Sequence, residues 1–165
     1  MSPAAENGWE LSVTRLIKAP RAHVWQVMTQ RISEYWCPKP WTTEFQVLEW
    51  FAGGRKSGIM RGPNPGDEAV MEGIFLEVTP LHRFVFTNAV HKASGDWMPA
   101  APFMIGGFEI ADEGNETCYT GWSRHWDHET CKRHEEMGFY DGWGTVAGQL
   151  AALCVGGDVC AGGDA

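Results

Sequence analysis

Between residues 134 and 153 the apolar positions fall at Phe139, Trp143, Val146, Leu150 and Leu153, a spacing that traces one stripe of an α-helix. Met137, Tyr140, Ala147, Ala151 and Cys154 form a second row beside it. The helix therefore has a broad apolar face and needs a partner surface. Gly138, Gly142, Gly144 and Gly148 lie inside this pattern, and each lowers helix stability by roughly 0.8–1 kcal/mol relative to Ala. Two readings account for them. Either the helix lies close on a sheet and breaks near Gly138, or it alternates glycines with large aromatics because it roofs a cavity.

The residues upstream read as the sheet this helix needs. Trp9, Leu11 and Val13 alternate with polar neighbours, the period of a half-buried strand. Pro20 stands where a first helical turn tolerates a missing N–H, and Val24, Val27 and Met28 give that helix its apolar side. A second short helix or turn near 32–36 stops at Cys37-Pro38-Lys39-Pro40, because proline disfavours helix in the residue before it. From 43 to 126 the pattern is an antiparallel meander. Strands are predicted at 45–51, 56–61, 68–78, 83–90, 103–111 and 117–126, divided by turns rich in Gly, Pro and Asn and by a polar loop at 92–102. With the first strand these make seven. One strand, two short helices, six strands and a long helix is an α+β order, with helices on one face of a curved sheet. Residues 9–154 are read as a single domain, 1–8 as disordered and 155–165 as a mobile glycine-rich tail.

Length and charge narrow the function. A chain of 165 residues buries roughly 70% of its unfolded surface, so neither disulfide nor metal is needed for stability. The formal net charge is −8, and the densest basic clusters are the pairs Arg55-Lys56 and Lys132-Arg133. That leaves no basic stripe of the kind nucleic-acid binding requires. The first eight residues do not read as a signal peptide, and no apolar run approaches a membrane span. Five cysteines without a repeating spacing suit free thiols and a cytoplasmic setting. Nine tryptophans and seven methionines stand out; such bulky, adaptable groups suit a pocket as readily as a core.

Several positions invite chemistry. On strand 68–78, Glu72 interrupts the row Val70, Ile74, Leu76 and Val78. Either this end of the strand reaches solvent, or the opposite face, Ala69, Met71, Gly73 and Phe75, is the inner one, or Glu72 is a pocket carboxylate. On strand 117–126, Tyr119, Gly121, Ser123 and His125 share a face. Small residues there leave room for the last helix, and Tyr119 and His125 offer polar tips inside. His125, His128, Cys131 and His134 recur every three residues, but on a helix His128 and His134 diverge by roughly 120°. The spacing also lacks the paired short intervals of structural zinc, so no metal is expected. Asp127 is read as a helix cap, with Lys132, Arg133 and His134 on a solvated face. No nucleophile elbow, phosphate loop or dinucleotide fingerprint occurs, and no cofactor is called for.

A series of stretches in order carries a family resemblance. They are Ala19-Pro20-Arg21 with Val24-Trp25, Trp36 and Trp41, Gly53-Gly54-Arg55, Met60-Arg61-Gly62-Pro63, and Glu72-Gly73-Ile74-Phe75-Leu76-Glu77-Val78-Thr79-Pro80. Arg83-Phe84-Val85-Phe86-Thr87-Asn88, His125-Trp126, His134-Glu135-Glu136-Met137-Gly138-Phe139 and Gly142-Trp143-Gly144 complete the series. Together, across about 11–153, they resemble the START-like (SRPBCC) superfamily and, within it, the bacterial family similar to the activator of heat-shock protein 90 ATPase. The resemblance implies a helix-grip fold, a seven-stranded curved antiparallel sheet around the long C-terminal helix with a hydrophobic cavity between them. START-like folds serve lipid carriers, receptors and cyclases, so it implies a small hydrophobic or amphipathic ligand rather than one activity.

The residues expected at that cavity are Trp36, Trp41, Met60, Glu72, Phe86, Phe108, Tyr119, His125, Met137, Tyr140 and Trp143. The alternatives are acid–base catalysis there by Glu72 or His125, and a protein-interaction surface on the outer face of the sheet. No stretch resembles the separate chaperone-binding domain of the eukaryotic activators, so a heat-shock chaperone partner is not expected. The strand edges a meander leaves exposed are compatible with a homodimer.

Overall fold

The computed structural model describes residues 9–93, 96–99 and 104–163; residues 1–8, expected to be disordered, lie outside it. β1 (Glu10–Ile17) is followed by α1 (Arg21–Gln30) and α2 (Ile32–Tyr35). Next come β2 (Thr42–Leu48), β3 (Arg55–Arg61), β4 (Glu68–Thr79) and β5 (Arg83–Thr87). A short ribbon, β6 (Val90–Ala93) and β7 (Asp96–Pro99), precedes β8 (Ile105–Glu113) and β9 (Glu116–Arg124). Last are α3 (His128–Glu136) and α4 (Phe139–Gly163).

Seven strands form one sheet in the order β1-β9-β8-β5-β4-β3-β2, antiparallel at every pairing. The predicted meander is present, with β1 added beside β9. Two features differ from the sequence reading. The polar loop at 92–102 contains β7 and the end of β6, which pair with each other in a ribbon apart from the main sheet. Polar composition hides such a ribbon, because it has no apolar alternation to display. The last helix also runs on through Gly163, into the glycine-rich segment 155–165; propensity alone is a weak guide where an established helix can simply continue.

Three local signals act as expected, one with a shift. Asp127 caps α3, its Oδ1 accepting the Thr130 N–H at 2.7 Å. Gly138 divides α3 from α4 with φ of +96°, a conformation open to glycine and strained for other residues. Pro20 sits at the cap of α1 rather than inside it, its carbonyl accepting from His23 and Val24.

α4 lies over β1 and β9 and against α1 and α2. Its Val146, Ala147, Leu150, Ala151 and Cys154 are buried against Val24, Val27 and Met28 of α1, Ile32 and Tyr35 of α2, and the sheet residues Ile17, Phe84, Phe108, Ile110 and Tyr119. Gly142, Gly144 and Gly148 do not mark a close approach of backbone to the sheet. A Cβ on Gly142 or Gly144 would meet nothing within 4 Å, and one on Gly148 would meet only the Arg15 guanidinium. Among the described residues no helix is long and apolar enough to cross a membrane.

Candidate functional site

Directly opposed residues of an antiparallel pair point to the same face of a sheet. Lys56 stands opposite Gly73, Gly58 opposite Met71 and Met60 opposite Ala69, and these face the helices. Ser57 stands opposite Glu72 and Ile59 opposite Val70, on the outer side. Glu72 is therefore no pocket carboxylate. It accepts two hydrogen bonds from Arg55, at 2.9 and 3.3 Å, and one from the Ser57 hydroxyl at 2.7 Å. The inner row of β4 is the alternative one, ending in Phe75; a bulge between Phe75 and Glu77 then turns Val78 inward as well. Arg61 with Glu44, Arg83 with Glu77 and Glu109, and Arg124 with Glu10 extend the ion pairs across neighbouring strands. A groove of about 420 Å³ beside Glu77, Arg83 and Glu109 belongs to this charged surface and not to the space under α4.

The concave face carries a layer of rings. Trp36, at the C-cap of α2, lies 5.2–5.4 Å from Phe45, Phe86 and Phe108 by ring centroid. Phe108 continues to Tyr119 at 5.5 Å and Trp143 at 5.8 Å, and Trp143 stacks on Phe139 at 4.8 Å. Gly121, opposite Phe108, makes room: a Cβ there would sit 2.8 Å from the Tyr119 hydroxyl and 3.3 Å from the Trp143 ring. Phe86, Phe108 and Tyr119 are buried, while Trp36, Phe45, Met104 and Trp143 keep part of their surface exposed. The layer is packed but not sealed.

Lys56 projects into this layer and is 6% exposed. Its Nζ lies 3.9 Å from the ring centroid of Trp36, 4.6 Å from Phe86 and 5.0 Å from Phe45. No hydrogen bond or carboxylate partner reaches it among the described residues. Burial pushes its pKa down to about 7 from an ordinary 10.5, while the three ring faces favour the cation. In the sequence Lys56 stands out only as half of the basic pair Arg55-Lys56. The available signal was adjacency: Arg55 and Lys56 in one strand must point to opposite faces, so one of them enters the interior of a sheet covered on one side.

Beyond Trp143 the layer meets a polar cluster. His125 Nε2 lies 2.9 Å from His134 Nδ1, and the Ser123 hydroxyl lies 3.2 and 3.3 Å from these two atoms. The Ser123 hydroxyl also donates to Met104 Sδ at 3.2 Å, and His125 Nδ1 donates to the Trp9 carbonyl at 3.0 Å. All three side chains are buried. His134, expected on a solvated face, instead shares the inward side of α3 with Cys131. Burial first, and the His125 ring beside it second, push His134 down to about 4. With Ser123 fully buried, the cluster ties β9 to α3 and presents no nucleophile to solvent. Among the described residues no group of His, Cys, Asp or Glu is placed to hold a metal.

Of the residues expected at a cavity, the structure brings together Trp36, Phe86, Phe108, Tyr119 and Trp143, with His125 at the far end. It does not bring in the others. Trp41 lies against the Gly62 turn, where a Cβ would touch its ring at 2.8 Å. Met60 is half-buried between Thr43 and Ala69 and takes no part in the ring layer. Met137 is 69% exposed and Tyr140 50% exposed. The break at Gly138 resets the helical phase, so a row that joins Met137 to Tyr140 does not exist in three dimensions.

The model of the family described as Activator of Hsp90 ATPase homolog 1-like protein matches residues 18–154. A crystal structure of protein NE0264 from Nitrosomonas europaea is 32% identical, with a TM-score of 0.81 over 92% of this chain and 97% of that one. Two more distant structures share the fold: Ms6760 from Mycobacterium smegmatis, at 19% identity, TM-score 0.73 and coverage of 90% and 92%, and an AHSA1-like protein from Aeromonas hydrophila, at 14%, 0.67, 90% and 94%. No protein of curated function matches. The matched span runs from the residues before α1 into α4 and takes in the ring layer, so this helix-grip chain belongs to the Activator of Hsp90 ATPase homolog 1-like family of the START-like superfamily.

Proposed function

We propose that the protein binds a small hydrophobic or amphipathic molecule between the concave face of its sheet and the C-terminal helix. The observation that carries this reading is the unsealed ring layer, in which Trp36, Phe45, Met104 and Trp143 remain partly exposed against the buried Phe86 and Phe108. Concave surfaces lined by aromatic and Met side chains, with few polar groups, favour such ligands. The START-like fold, which commonly binds hydrophobic ligands, adds support. The described cysteines are free thiols, and we read the protein as working in the cytoplasm.

Native mass spectrometry of freshly purified protein beside its denatured mass tests the reading, followed by titration with the neutral dye Nile red. A reproducible extra mass lost on denaturation, or saturable dye binding at one site, is expected. A bare protein that also fails to bind the dye would overturn it.

A further inference from the structure

Lys56 differs from four arginines of the same sheet. Arg55, Arg61, Arg83 and Arg124 face solvent and each meets a carboxylate. Lys56 faces the helices and, among the described residues, meets rings at Nζ. Three ring faces offset part of the desolvation of an ammonium, but they accept no strong hydrogen bond from it. A buried amine left in this condition lowers the stability of the fold unless something completes its shell. The chain supplies no acid there among the described residues, and burial alone accounts for the lowered pKa of Lys56. The sequence carries a net charge of −8, yet none of the acids among the described residues is placed beside it.

We infer that Lys56 is the anchor for an acidic ligand, a monocarboxylic acid whose carboxylate pairs with Nζ while its apolar body lies on Trp36, Phe86 and Phe108. The inference rests on the proposed binding function and specifies its ligand class. One cation with no neighbouring donor suits the single charge of a carboxylate better than the double charge of a phosphate monoester. The ring layer running from Lys56 to Trp143 suits a flat or extended apolar body. A carboxylate arriving at Nζ forms a charge-assisted hydrogen bond in a dry setting, where such bonds are strongest.

Decanoic acid and decan-1-ol, equal in chain length and different in charge, separate this inference from the reading beneath it. Calorimetric titration at pH 7 is expected to give at least tenfold tighter binding of the acid to the natural protein. Lys56→Met keeps a side chain of similar length and removes the charge with its cation–ring contacts, so the preference for acid over alcohol should vanish. Equal binding of acid and alcohol by the natural protein overturns the anchor and leaves the pocket. A preference that survives in Lys56→Met does the same, and failure of both compounds and of Nile red to bind overturns both ideas. Should Lys56→Met misfold, the Lys56 Cε signal of the natural protein gives the answer by NMR. Decanoate should shift it and decanol should not, and a signal indifferent to decanoate overturns the anchor.

Discussion

The Nε2 of His125 lies 2.9 Å from the Nδ1 of His134. A carbonyl can only accept, so the other nitrogen of His125, 3.0 Å from the Trp9 carbonyl, is a donor. The contact between the two rings therefore holds one proton. It joins the end of β9 to α3 across a buried space that also contains Ser123.

Burial of His134 first, and the His125 ring beside it second, make acid destabilise the protein. The folded-state pKa of His134 is depressed to about 4, below its ordinary value of about 6.5, so the unfolded chain binds the extra proton across that interval. Stability is fully present above about pH 6.5 and is lost as pH falls towards 4. The contribution is on the order of 2–3 kcal/mol. Urea denaturation at pH 7 and pH 4.5 measures it: His134→Gln should lose markedly less stability over that interval than the natural protein, and an equal loss would assign the effect elsewhere.

Lys56 has a related dependence in a higher window. Its folded-state pKa is lowered to about 7 from 10.5, so its contribution falls as pH drops from about 10.5 to 7. Lys56→Met should accordingly be more stable than the natural protein at pH 7, by about 1–3 kcal/mol after loss of the ring contacts. The advantage should narrow as pH rises towards 10. Thermal unfolding at pH 7 and 9.5 is the check, and a variant less stable at both would contradict it.

Glycines in and around α4 should respond with opposite signs. Gly138→Ala meets no atom within 4 Å but must adopt a φ of +96°, and strain alone should lower stability by about 1–2 kcal/mol. Gly142→Ala and Gly144→Ala also meet nothing within 4 Å, and each should raise stability by about 0.5–1 kcal/mol through helix propensity. Chemical denaturation of the three variants decides this. Destabilisation at Gly142 or Gly144 would mean that the space beside the helix is not open.

Trp143 bridges the two halves of the ring layer, from Phe108 to His134. Trp143→Ala should lower stability by about 2 kcal/mol or more and weaken Nile red binding by more than about 1 kcal/mol. Loss of stability without loss of affinity would confine Trp143 to a packing role.

Much of this architecture was legible because its periods are strong. The stripe from Phe139 to Leu150, the Asp127 cap and the punctuation of the meander each express local physics. The inner face of β4 was not legible, since Glu72 sits in a strand apolar on both sides and bulged at Phe75. His134 was misread because α3 has nine residues, too few for its buried side to show against so many charges. Lys56 escaped notice for the same reason that it matters: a lysine in an alternating strand normally faces water, and only the tertiary fold places rings around it.

The pairing of β1 with β9 also sets a timetable. Ile17 pairs with Thr117, one hundred residues later, so at roughly 5–20 residues per second a ribosome leaves β1 without its neighbour for about 5–20 s. The strands from β2 to β5 can pair as each emerges, but the edge formed by β1 must wait for β9. During that interval Trp9, Leu11 and Val13 belong to a nascent chain with one unmatched strand. That opening segment is where a holdase would find the growing protein most exposed.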